Sequence, residues 1–426
     1  MEIYMEDILY WLWLSLSCTP GYTTFDKLIA EFDSPRRIFE ATDAEIESCI
    51  GSRVRDYTFL TERDLTGAKT VYEFCTRHKV GILTYADGSY PEALRAIVGS
   101  PVLLYYRGKL PDFNSLCPIA IVGSRKMSDY GQRSAYTVAA DLARGGATVV
   151  SGMARGVDAT AMAGALSEGG RVIAFLGSGI DICYPEEHLT LARQTVKEGC
   201  ILTEYAPGTP PDRFNFPKRN RLISGVSAAT LVIEGREQSG AMITARHAMA
   251  QNKPVYALPG NVDSPGSAAA HLLLREGARL LTAADDVVRD LEPSYSGILN
   301  PFAMAAAAPK PMAGVLRSLS LPVGAEAERE KGKGLLGNLF TKKKREEPRE
   351  DAPDADREAE RDVHALLSSM DETARAVYER IPAEGSCALE SLCDEEIPLR
   401  TVMKYLLKLE IKGLVTMLPG ERVQRA

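Results

Sequence analysis

Ile119-Ala120-Ile121-Val122-Gly123-Ser124-Arg125 is the stretch on which the fold turns. A run of small and β-branched apolar residues without polar alternation reads as a strand buried on both faces, and this one stops at a glycine turn. The same figure recurs downstream. Ala147-Thr148-Val149-Val150 stops at Ser151-Gly152, and Val172-Ile173-Ala174-Phe175-Leu176 stops at Gly177-Ser178-Gly179. Further apolar runs stand at Cys200–Thr203, Thr230–Ile233 and Val255–Leu258, with amphipathic stretches between them. Strands that each end at a small-residue turn and feed a helix describe a parallel sheet covered on both faces, so residues 116–291 are expected to form a Rossmann-like α/β domain.

In open sheets of this kind ligands gather at the carboxyl ends of the strands. Those ends carry Gly123-Ser124-Arg125, Ser151-Gly152-Met153-Ala154-Arg155-Gly156, Gly177-Ser178-Gly179, Ser239-Gly240 and Pro259-Gly260. Glycine lets backbone amides approach a phosphate, and the helix that follows presents its positive N-terminal end. Any single turn is explained equally well by the steric needs of a tight connection. Several together, two of them bearing arginine, favour an anion site. No GxGxxG follows the first strand and no acid stands about twenty residues beyond a first glycine, so an NAD-type dinucleotide site is not expected.

Phe214-Asn215-Phe216-Pro217-Lys218-Arg219-Asn220-Arg221-Leu222-Ile223-Ser224, with Arg213 before it, gathers four cations and two aromatics without an acid. That composition suits a backbone phosphate held beside a base. A structural reading competes with it: Phe214 or Phe216 in the core, Pro217 beginning a helix, Asn220 capping backbone groups, and a buried Arg219 paired with Asp158 or Glu204. DNA contact is expected at Arg125, Lys218 and Arg221, with Phe216 evenly balanced between stacking on a base and packing; Asp158 is expected to be structural.

The 426 residues, 45% apolar, suffice for one large core and two small ones. A formal net charge of −7 makes any nucleic-acid site local. The eight cysteines form no CxxC pair and no metal spacing, which reads as a reducing cytosol. The N-terminus opens on Glu2, Glu6 and Asp7, and no apolar run nears membrane-spanning length, so a cytoplasmic location and no membrane partner are expected. Residues 1–70 read as a small helical domain and 71–115 as a connector packed on the next domain, holding an edge strand or a lead-in to the main sheet. Residues 292–370 lack a sustained period, and Lys342 to Asp362 holds seven basic and nine acidic side chains, so this part is expected to be a disordered tether. Residues 371–426 read as three helices, Thr373 to Ile381, Leu389 to Cys393 and Leu399 to Leu409, followed by a hairpin, the winged-helix arrangement. Arg400, Lys404 and Lys408 fall on one face of the third helix, yet the module has eight basic and ten acidic residues, and protein contact is favoured over duplex binding.

From Ile119 to Leu281 the chain resembles the DprA/Smf family of DNA-processing proteins. The resemblance is carried by Ile121–Arg125, Ser151–Asp158, Tyr184-Pro185, Phe216–Arg221, Ser239–Ala245 and Leu258-Pro259-Gly260. An N-terminal helical domain of sterile-alpha-motif or helix-hairpin-helix type and a C-terminal winged helix are similar to the family architecture. The resemblance implies a recombination mediator of natural transformation that binds and shields incoming single-stranded DNA, helps load the RecA recombinase, and forms a homodimer. It implies DNA contact at Gly123, Ser124 and Arg125, added charge from Lys218, Arg219 and Arg221, and Phe216 near a base; Gly152, Arg155, Asn220, Ser239 and Gly240 complete the expected site. Two departures stand out. Ala161-Met162 replaces a family Ala-His pair, and Ser267-Ala268-Ala269-Ala270-His271 replaces a Ser-x-Gly-Thr-Asn turn, which puts that turn's share of binding in doubt.

No cofactor, metal or catalysis is expected. The competing reading is a phosphoribohydrolase on a related fold, with Glu204, Glu234 and Arg125 around a nucleoside monophosphate. The Pro-Gly-Gly turn with a nearby glutamate that such enzymes carry is absent around Pro259-Gly260-Asn261.

Overall fold

The computed structural model describes residues 2–304, 308–324, 372–382, 386–393, 401–402, 405–406, 415–418 and 422–425. Two units divide the chain, Met1–Gly337 and Asn338–Ala426.

The first unit opens with six helices: α1 (Glu2–Ser17), α2 (Thr24–Phe32), α3 (Pro35–Glu40), α4 (Asp43–Ile50), α5 (Arg55–Glu62) and α6 (Thr66–Arg77). Helix α1 is their hub, because Trp11, Leu12, Trp13 and Leu14 are all buried and its apolar surface runs round the helix. Trp13 meets Phe39 edge-on with ring centroids 5.0 Å apart. Thr42 and Glu45 close a capping box that starts α4.

Strand β1 (Gly81–Thr84), the short α7 (Glu92–Arg95) and β2 (Leu103–Gly108) come next. Then strand and helix alternate: β3 (Pro118–Val122), α8 (Asp129–Arg144), β4 (Thr148–Ser151), α9 (Val157–Ser167), β5 (Val172–Phe175), α10 (Leu189–Glu198), β6 (Cys200–Thr203), α11 (Asn215–Val226), β7 (Ala229–Val232), α12 (Gly240–Ala250), β8 (Val255–Ala257), α13 (Ala268–Arg275), β9 (Arg279–Leu280) and α14 (Ala284–Leu291). The sheet runs β1-β2-β6-β5-β4-β3-β7-β8-β9. Pairing is parallel from β6 across to β9. It is antiparallel from β6 to β2 and from β2 to β1, so the stretch expected as a connector supplies two sheet strands. Side chains alternate across the pleat. Ile119 and Ile121 enter one core with α8 and α9, while Ala120 and Val122 enter the other with α11, α12 and α13.

Part of the stretch expected as a tether is ordered. Helices α15 (Pro301–Met304) and α16 (Met312–Ser318) lie beyond α14, and Leu316, Leu319 and Leu321 are buried in the α8–α9 core. The Tyr136 hydroxyl donates to the Lys310 carbonyl at 3.0 Å, and the Gln132 side chain donates to Pro322 at 2.9 Å and accepts from the Gly324 amide at 2.8 Å. Three leucines within six residues, each stabilising by about 1.5–3 kcal/mol when fully buried, offset the ordering of a short segment whose sequence shows no period. Residues 305–307 and 325–371 lie outside the described residues.

In the second unit, α17 (Glu372–Glu379) is followed by β10 (Ser386–Ala388), β11 (Val415–Leu418) and β12 (Arg422–Arg425), ordered β10-β12-β11 and antiparallel. Val377, Ile381, Leu392, Val402, Leu406, Val415 and Val423 form its core. A short 3-10 turn, Leu389–Leu392, stands where a second helix is expected. The expected third-helix cations Arg400, Lys404 and Lys408 lie outside the described residues. Among the described residues no helix is long and apolar enough to cross a membrane.

Candidate nucleic-acid interface

Strand β3 is flanked by β4, the next strand in the chain, and by β7, so the winding of the sheet reverses at its carboxyl end. Beyond that end the Ser124 hydroxyl accepts the Lys126 amide at 3.1 Å, and the Ser124 carbonyl accepts the Val157 amide at 3.1 Å, tying the first loop to the start of α9. Gly123 lies against Val157. The turn throws Arg125 into solvent, where its guanidinium carbon sits 5.3 Å from the centroid of the Phe216 ring. Tyr184 lies on the same ring, centroid to centroid 5.5 Å and tilted by 32°. Phe216 is half-buried over Gly177 at the end of β5. Arg125, Gly152, Arg155, Tyr184 and Phe216 line a small open pocket. Arg155 is exposed there but ion-paired with Glu187, so it adds less field than Arg125.

Three residues of the expected site are turned inward. Arg219 is 3% exposed. Its Nη1 donates to the Gly152 carbonyl at 2.9 Å and to the Phe175 carbonyl, and its Nε donates to Asn220 Oδ1 at 3.3 Å. A side chain on residue 152 would begin 2.6 Å from the guanidinium, which is why glycine stands there. Burial pulls the Arg219 pKa down to about 10, and the nearby Asp158 carboxylate opposes that pull. Asp158 in turn accepts the amides of Gly152 at 3.1 Å and Ala154 at 3.4 Å, the structural role expected of it. Arg221, expected to contact DNA, is instead buried and ion-paired with Glu204 at 2.5 Å. Asn220 donates to the Gly240 carbonyl at 3.1 Å. These three side chains pin α11 to the strand ends, and the split follows position along the helix: Phe214, Phe216 and Lys218 sit at its first turn near the surface, while Arg219, Asn220 and Arg221 begin its buried body.

Ser239 caps α12 by accepting the Met242 amide at 3.4 Å, and Gly240 is exposed beside it. Lys218 is half-buried, with Nζ 4.8 Å from the Tyr22 ring centroid; its pKa is lowered by burial and then by the neighbouring Arg55. Phe214, 54% exposed, carries Arg213 over its ring at 4.8 Å. Neither carboxylate of the phosphoribohydrolase reading faces the pocket free. Glu204 is buried and gives Oε2 to Arg221, and Glu234 accepts the Ser128 amide at 2.8 Å and the Ser128 hydroxyl. Ala269 and Ala270 are buried in α13, inside the second core. Sequence reasoning missed Tyr184 and Tyr22, which reach the site from distant loops and carry no local signal except the Tyr184-Pro185 pair.

His188 is packed under the loop between β4 and α9. Its ring is buried, and its Nδ1 lies 2.9 Å from the Met153 carbonyl in the β4–α9 loop. Burial lowers its pKa below the usual 6.5. A depressed folded value means that the stabilising contribution is present above about pH 6.5 and is lost as pH falls through the folded pKa. The thermal midpoint should therefore drop on acidification below pH 6.5 more in the parent than in His188→Gln; parallel curves for the two would remove this residue from the acid transition.

A parallel-dominated sheet covered on both faces, with Arg125 set over the Phe216 ring at the point where its winding reverses, is a Rossmann-like α/β domain with a cation and an aromatic side by side at its strand ends. Residues 81–292 match the family model of DNA recombination-mediator protein A. The chain is 38% identical over 206 residues to DNA processing protein DprA of Streptococcus pneumoniae, covering 48% of this chain and 72% of that one. It is 39% identical over 204 residues to protein Smf of Escherichia coli, covering 48% of this chain and 54% of that protein, about half its length. The crystal structure of the Streptococcus pneumoniae DprA superimposes with a TM-score of 0.58 at 32% identity, over 64% of this chain and 94% of that one. This chain belongs to the DprA/Smf family of DNA-processing proteins.

Proposed function

We propose that this protein binds single-stranded DNA in the strand-end pocket and serves as a recombination mediator. The observation that carries the reading is the Arg125–Phe216–Tyr184 cluster. Only unpaired bases offer a π face to an aromatic platform, and Arg125 is placed to meet the phosphate beside the stacked base. Every base has a π face, so stacking on an aromatic tolerates any sequence, as a protein handling imported DNA requires. Membership of a family described as recombination mediators supports the extension to shielding incoming DNA, loading RecA and acting as a cytoplasmic homodimer during natural transformation. We also read residues 1–70 as the sterile-alpha-motif-like domain and 371–426 as a winged helix engaged mainly in protein contact.

The test is a titration of labelled oligothymidylate and of a duplex of equal length. Single strand is expected to bind at least about tenfold more tightly, with a logarithmic salt slope of about −0.7 for each phosphate neutralised. Equal affinity for the duplex would sink the reading.

A further inference from the structure

The loop between α1 and α2 holds an aromatic in a place that folding does not explain. Tyr22 is 57% exposed and makes no part of the core, yet the loop under it is firmly built. The Thr19 hydroxyl donates to the buried Asp56 at 2.5 Å, and the Tyr22 amide donates to the Thr19 carbonyl at 3.3 Å. Gly21 takes a left-handed φ of 80°, and a side chain there would begin 3.2 Å from Arg221 Nε, so the loop is wedged against the site helix. Asp26, just beyond, accepts the amides of Gly99 at 2.7 Å and Ser100 at 3.1 Å and anchors the loop's other end. The product is a rigid mount for one exposed ring.

What the ring faces is a cation of helix α11. Lys218 Nζ lies 4.8 Å from its centroid, and the exposed Arg55 of α5 is close enough to act on Lys218 electrostatically. Lys218 stands two residues after Phe216, a turn of about 200° around the helix. Phe216 with Arg125 and Tyr184 thus flanks one side of the α11 tip, and Lys218 with Tyr22 and Arg55 flanks the other. Phe214, exposed under Arg213, lies one turn before Lys218 at the tip itself. Each side repeats the same pairing of an aromatic face with a positive charge.

We propose that the N-terminal helical domain is part of the DNA site: a single strand passes over the tip of α11, with one base stacked in the Phe216 pocket and a later base stacked on Tyr22, its phosphates neutralised by Lys218 and Arg55. The inference rests on the single-strand reading of the pocket and extends it to a second platform about one helix diameter, roughly 10 Å, away. Rigidity of the Tyr22 loop is what such a platform needs, because a stacking residue ordered only on binding loses part of its gain to entropy.

The experiment measures the affinity of the full chain for oligothymidylates from about 4 to about 16 nucleotides, the range of a compact single-strand site. Tyr22→Ala is expected to bind the shortest oligomers as the parent does and the longest about tenfold more weakly, with Tyr22→Phe behaving as the parent and Arg55→Gln lowering the salt slope on long oligomers only. Photocrosslinking of a halogenated-uracil oligomer should place one adduct at Tyr22. If Tyr22→Ala matches the parent at every length while Arg125→Ala loses binding, the second platform is overturned and the pocket stands. If Arg125→Ala also binds as the parent does, the single-strand reading of the pocket has failed, and the second platform falls with it.

Discussion

Changing Arg125 and Phe216 together to alanine is expected to lower affinity for an unstructured oligothymidylate by about 3 kcal/mol, roughly two orders of magnitude. Stacking on an aromatic is worth about 1–3 kcal/mol per base, and a charge-assisted phosphate bond about 1.5–3 kcal/mol. The two losses are not fully additive, because the guanidinium sits over the ring it is removed with. Arg125 is exposed and its contact with the Phe216 ring is a surface one worth little, so Arg125→Ala alone should move the unfolding midpoint little while flattening the salt slope by about 0.7. A double variant that binds with parental affinity and parental slope would place the site elsewhere on the chain.

The second large effect falls on stability and separates the two kinds of cation in the same motif. Arg219→Ala removes the donor that joins the ends of β4 and β5 through Gly152 and Phe175, and it leaves Asp158 buried without its neighbouring positive charge. Breaking such a buried arrangement from one side costs about 3–5 kcal/mol. Urea unfolding followed by circular dichroism should show the midpoint falling steeply for Arg219→Ala, while Lys218→Ala, on the half-buried side of the same helix, moves it little. A stable Arg219→Ala that has lost DNA binding would make Arg219 a contact residue after all.

Much of the sheet was legible because its signal is local. The first three apolar runs, from Ile119 to Leu176, each end at a small-residue turn, and burial on both faces removes the alternation that would have confused the reading. The 292–324 segment was not legible. Leu316, Leu319 and Leu321 carry no period that marks them as core, and only the apolar face of α8 and α9 gives them somewhere to go. The cations of Lys218-Arg219-Asn220-Arg221 looked alike for a related reason: composition counts charges but does not say which of them a helix turns toward a sheet.

From its sequence alone, this chain was committed to a parallel-dominated α/β sheet and to a family, since both follow from residue types in short contiguous runs. Tertiary structure alone decided which charges are available. Burial and the carbonyls of Gly152 and Phe175 claim Arg219, Glu204 claims Arg221, and the long-range approach of Tyr184 and Tyr22 sets aromatic rings beside Phe216 and Lys218. The Arg219 guanidinium, enclosed by protein, spends its donors on internal acceptors, whereas the exposed Arg125 keeps its own facing water.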